Sequence, residues 1–181
     1  MKKLMSSLKF LLIIGFISTF IVFTGCKDDD GNGGTPSPAD NLIGTWTVTN
    51  ADITAMVGNQ SLTDFFINVG GLTPAEAALA YTLFETFFKA ELNGSITFKN
   101  DNTYLTNFGG SPDDGTWSLS SDGKTLTLDA GTVDEIVIDV ISLTSNSANM
   151  VISQTIMEDL DDDPLTPDVP IDVEANMTLS K

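Results

Sequence analysis

The chain has 181 residues, with 8 Lys+Arg against 25 Asp+Glu, no His, one Cys and a formal net charge of −17. All of its bases are lysines, and so large an acidic excess excludes nucleic acid and anionic lipid headgroups as partners held by charge. Without His and with a single Cys, the commonest general bases and thiol nucleophiles are missing, so the chain is not expected to be an enzyme.

In chain order, Lys2, Lys3 and Lys9 make a positive start, and Phe10 to Phe23 follows as an apolar run. That run is shorter than the ~20 residues of a spanning helix and reads as the core of a secretory signal peptide over residues 1–25. Cys26 stands directly after it, and an odd cysteine in an exported chain calls for a reason. Thr24-Gly25-Cys26 resembles a bacterial lipobox, in which small residues let a peptidase cleave before a lipidated Cys, with Phe23 at the usual Leu position. Acyl chains contributing about 0.8 kcal/mol per buried CH₂ would then hold the protein on a membrane.

Lys27-Asp28-Asp29-Asp30 resembles the acidic export signal of surface lipoproteins from the Bacteroidetes group. The resemblance implies an outer-membrane location facing the cell exterior. Residues 26–40 read as an acylated Cys and a flexible linker. GNGGTPSP, from Gly31 to Pro38, is turn-rich and has no apolar residue, and the stretch from Lys27 to Asp40 has a root-mean-square reach of about 20 Å.

Residues 41–181 read as one domain with a period of two. Trp46 and Val48 alternate with threonines, then come Ile96 and Phe98, a strand around Tyr104, and Trp117 with Leu119. Ser121-Asp122-Gly123 is a hairpin turn leading to Leu126 and Leu128. Ile136, Ile138 and Val140, then Met150 and Ile152, and lastly Val173, Ala175, Met177 and Leu179 complete eight strands. The fold class is mainly β: an up-and-down antiparallel barrel of about eight strands, the last pairing with the first so that no edge is left open.

One helical stretch, Ser61 to Leu92, interrupts strands one and two as a helix-turn-helix. Thr73-Pro74-Ala75-Glu76 is a capping box with Pro in the first turn. Behind it, Ala80, Leu83, Phe84, Phe87 and Phe88 are expected on one face and Thr82, Glu85 and Lys89 on the other. A shorter helix over Leu62 to Val69 precedes it, closed by Gly70-Gly71.

Gly44-x-Trp46, the later GTWSLSSDGKTLTL and the meander together resemble the lipocalin-like lipoproteins of the Bacteroidetes group, over Leu42 to Leu179. The helical pair after strand one is similar to the lid of fatty-acid-binding proteins. The resemblance implies a membrane-anchored barrel that binds a small apolar or amphipathic ligand. Trp46, Phe98, Tyr104 and Trp117 are the candidate interior contacts, with Phe84 and Phe87 as a lid. The alternative is a barrel filled by its own side chains that serves as an interaction or accessory module for an envelope protein partner.

MEDLDDDPLTPD, from Met157 to Asp168, places Asp159, Asp161 and Asp163 in the alternation that calcium loops use. Pro164 stands where such a loop needs Gly, and no Glu closes it, so a solvated acidic hairpin competes with a calcium site. No other cofactor is expected.

Overall fold

The computed structural model describes residues 37–158 and 168–181. The signal peptide, Cys26, Lys27, Asp28, Asp29, Asp30 and the acidic Asp159, Asp161 and Asp163 lie outside the described residues.

The first described element is a short helix, α1 (Pro38–Leu42), where the sequence suggested the end of a linker. Ser37 is the reason: its hydroxyl accepts from the Asp40 N–H, and the Asp40 carboxylate accepts in turn from the Ser37 N–H at 2.8 Å. Pro38 fits the first turn, where no amide is required.

Nine strands follow among the described residues: β1 (Gly44–Val57), β2 (Gln60–Ser61), β3 (Ser95–Phe98), β4 (Thr103–Thr106), β5 (Asp113–Leu119), β6 (Thr125–Leu128), β7 (Ile136–Leu143), β8 (Ser147–Glu158) and β9 (Val169–Ser180). β2 is only a two-residue return against the tip of β1. The other eight form an antiparallel meander, and β1 pairs with both β3 and β9, which closes the barrel. All eight expected strands are present.

β1 runs on well past Thr49, where its alternation ceases to be legible. A register shift between Val48 and Asn50 changes which residues face inward, from Trp46 and Val48 to Ala51, Ile53 and Ala55. The same device recurs in β7 between Val140 and Ser142. Such bulges sharpen the bend of a strand and help a small barrel close. Ile136, expected to point inward with Ile138, is instead exposed at the entrance of β7.

The wall is uneven in height. β3, β4 and β6 have 4 residues each, whereas β1, β8 and β9 have 14, 12 and 12. Above Val48, whose N–H still donates to the Gly94 carbonyl at 3.1 Å, β1 therefore has no strand partner on its β3 side until it meets β2. Helices α2 (Leu62–Asn68) and α3 (Pro74–Leu92) pack beside that bare edge, and the Tyr81 hydroxyl donates to the Ile53 carbonyl at 2.7 Å. A helix covering a strand edge both satisfies its acceptors and blocks edge-to-edge pairing.

The expected face of α3 is rotated. Ala77 and Phe88 are buried, and Tyr81 and Phe84 pack half-buried against the core, but Leu83 and Phe87 face solvent. The helix is apolar on nearly every side, so sequence periodicity could not set its phase. The Tyr81–Ile53 bond does so.

Candidate functional site

The barrel has two unlike ends. The turns β3–β4, β5–β6 and β7–β8 are short and lie at the end where the chain enters through α1. Trp46 is fully buried there, and its indole N–H donates to the Leu42 carbonyl at 2.6 Å, tying the strand to α1. The Lys181 ammonium lies 4.7 Å from the Trp46 ring centroid and donates to the Asn41 carbonyl at 2.7 Å. Partial burial of that ammonium holds its pKa below the ordinary lysine value. Gly44 adopts φ +128°, and its α-carbon lies under the Lys181 stem, where a β-carbon would press on it. This is the closed end.

The four aromatic candidates meet in this half as packed core. Phe98 and Trp117 are edge-to-face at 5.6 Å between centroids, and the Trp117 indole donates to the Lys99 carbonyl at 3.1 Å. The Tyr104 hydroxyl donates to the Asp129 carboxylate at 2.5 Å, while the other oxygen of that carboxylate accepts from the Thr116 N–H at 2.8 Å. Burial, then the hydrogen bond to Asp129, pushes the Tyr104 phenol well above its usual pKa. Every polar atom of this aromatic set thus has a partner within the protein.

Asp129 was not singled out from the sequence. Its signal lies in the second GTW: Gly115 pairs with Tyr104 across the strands, and a β-carbon there would collide with the Asp129 carboxylate. The two Gly-x-Trp triplets therefore need glycine for different reasons, one for backbone conformation and one for space.

The opposite end is open in character. It carries the helical pair and the longer connections β4–β5, β6–β7 and β8–β9. The inward positions of β9 here, Ile171, Val173 and Ala175, are buried. Their cross-strand partners on β8 are Ile156, Gln154 and Ile152. The two isoleucines are only half-buried, and Gln154 is exposed although its register faces it inward. Val57, Phe66, Tyr81 and Phe84, from the end of β1 and the helical pair, are also half-buried against the core. Of the two lid candidates, Phe84 belongs to this group, its ring tilted against that of Phe88 at 4.6 Å between centroids. Phe87 does not, being 37% exposed on the far side of α3.

A shallow depression of about 380 Å³ lies on the wall of β1, β8 and β9, lined by Thr54, Met56, Ser153, Gln154, Thr155, Asp172, Val173 and Glu174, so that Gln154 and Val173 border it as well. Asp172 and Glu174 alternate with the buried Ile171, Val173 and Ala175, so this hollow is on the outer face. The Thr155 hydroxyl already donates to Asp172 at 2.6 Å. An acidic, solvated hollow suits no apolar ligand. Among the described residues, no group of three or more metal-ligating side chains gathers.

The model of the lipocalin-like domain matches residues 42–150, more than half of the chain. The chain belongs to the lipocalin-like domain family. The match starts at the end of α1 and reaches the first third of β8, and the remainder of β8 and β9 completes this lipocalin-like barrel. The fold is consistent with binding a small hydrophobic ligand. A crystal structure of a DUF4847 family protein from Bacteroides vulgatus is similar at 15% sequence identity, covering 75% of this chain and 92% of that one, with a TM-score of 0.31. No curated protein matches the chain.

Proposed function

We propose that the protein is a lipoprotein of the outer membrane, anchored through Cys26 and displayed on the cell exterior, whose barrel binds a small apolar or amphipathic ligand at its open end. The role is binding, without catalysis. Membership in the lipocalin-like family supports the ligand. The apolar run before Thr24-Gly25-Cys26 and the acidic Lys27 to Asp30 support the anchor and its export.

One observation supports the open end as the place of the ligand. In the closed half the aromatics are packed and their polar atoms engaged. In the open half, Ile152, Ile156, Phe66, Tyr81 and Phe84 are only half-buried against the core, and Gln154 is exposed. Half-buried apolar side chains with an amide at the same end of a barrel are the ingredients of a small-molecule site. The Gln154 amide offers both donors and an acceptor to the polar end of an amphiphile.

The anchor is tested by fractionation. Cys26→Ser should move the protein out of the membrane fraction, and persistence of the variant in the membrane with its signal retained would refute the lipoprotein reading. Replacing Asp28, Asp29 and Asp30 together by Ala should leave lipidation intact and reduce cleavage by external protease on whole cells. Unchanged cleavage would reduce those aspartates to a soluble tether. Mass spectrometry of the natively purified protein should find a co-purified lipid-like molecule.

A further inference from the structure

The outer face of α3 does not fit a purely solvated helix. Leu79 and Leu83 are 61% and 64% exposed and form one row with Phe87. Thr82 and Thr86 form the adjacent row, and their hydroxyls donate back to the Ala78 and Thr82 carbonyls at 2.9 and 2.7 Å. With the hydroxyls turned onto the backbone, the threonines present methyl groups, so both rows are apolar. From Leu79 to Phe87 neither row contains a charge, in a chain with 25 acidic residues. A large-residue ridge beside a shallow furrow is the surface into which another helix packs.

The surroundings of this face select its occupant. Glu76 stands at the N-terminal end of this face, its carboxylate held by Thr73, and Glu91 at the C-terminal end; beyond the threonine row, Glu85 is paired with Lys89 at 2.8 Å. The whole chain is strongly acidic, so a second copy or an anionic lipid surface would meet like charge. We propose that the outer face of α3 docks an amphipathic helix of a partner protein, apolar at its centre and rimmed by Lys or Arg. This interaction is independent of any ligand inside the barrel, since Phe84 and Tyr81 face the core while Leu79, Leu83 and Phe87 face away.

The test uses the purified full-length protein and two labelled helical peptides of equal length, one of Leu and Lys and one of Leu and Glu, followed by fluorescence anisotropy at physiological ionic strength. The Leu/Lys peptide should bind saturably and the Leu/Glu peptide should not. Leu79→Ser with Leu83→Ser should weaken binding about tenfold or more, since each leucine contributes buried apolar area. Ile141→Ser, at an equally exposed apolar site on β7, should leave binding unchanged, and both variants should keep the far-ultraviolet spectrum of the native protein. Equal affinity of the native protein and the α3 variant would overturn the proposal, because attraction would then be charge alone. So would a concentration-dependent dimer that the α3 substitutions disperse, or equally tight binding to neutral lipid vesicles.

Discussion

Tyr104 and Tyr81 are the two tyrosines of the chain, and each is held by one hydrogen bond that matters to the barrel. Tyr104 fastens β4 to the end of β6 across Gly115, and Tyr81 fastens α3 to the bare edge of β1. Both phenols are raised above their ordinary pKa, chiefly by burial, with Asp129 adding to the shift of Tyr104 and Glu85 to that of Tyr81. A raised pKa means that the folded chain binds more protons than the unfolded one once pH passes the unfolded value near 10. The stabilisation is therefore complete below about pH 10 and is lost as pH climbs beyond it. An alkaline titration followed by tyrosinate absorbance should show no ionisation at the ordinary value, then a cooperative rise that coincides with unfolding by circular dichroism. A smooth early titration of either tyrosine would contradict these two bonds. Tyr104 was legible in the sequence as an inward residue. Its partner Asp129 was not, because it follows the strand at φ +50° and reaches back over a glycine distant in sequence.

At the scale of the element, α3 shows both what periodicity reveals and where it stops. Its start was legible, because the Thr73 hydroxyl and Glu76 carboxylate satisfy each other's backbone amides and Pro74 needs no partner. Its buried face was not, because Leu79, Leu83 and Phe87 are as apolar as Ala77, Tyr81, Phe84 and Phe88. The structure ranks the neighbouring phenylalanines: Phe88 is 8% exposed and Phe87 37%. Phe88→Ala should cost about 3–5 kcal/mol through lost transfer energy and a cavity, whereas Phe87→Ala should cost about 1 kcal/mol or less. Chemical denaturation of the two variants checks this directly. Equal losses would mean that α3 is rotated from the phase described. β1 teaches a related lesson, since its first half reads as a strand and its second half hides behind a bulge that reverses inward and outward positions.

At the scale of the whole molecule, the eight-stranded order was legible because short polar turns separate runs of strict alternation, and a meander of that number closes on itself. The uneven height of the wall was not legible, because it depends on how far β1, β8 and β9 rise beyond β3, β4 and β6. That unevenness sets the functional geometry. The chain enters at the closed end, through α1, so a tether from Cys26 would hold the closed end toward the membrane and turn the helix-flanked end outward. The central claim is that the open end holds an apolar ligand. Titration of the delipidated protein with a fluorescent fatty-acid analogue tests it most directly, comparing the native chain with Phe84→Arg, which places a charge beside Tyr81 and Phe88, and with Phe87→Arg on the outer face of the same helix. Saturable binding at one probe per chain, lost in Phe84→Arg and kept in Phe87→Arg, is the predicted result. Absence of saturable binding by the native protein, or binding untouched by Phe84→Arg, would contradict it.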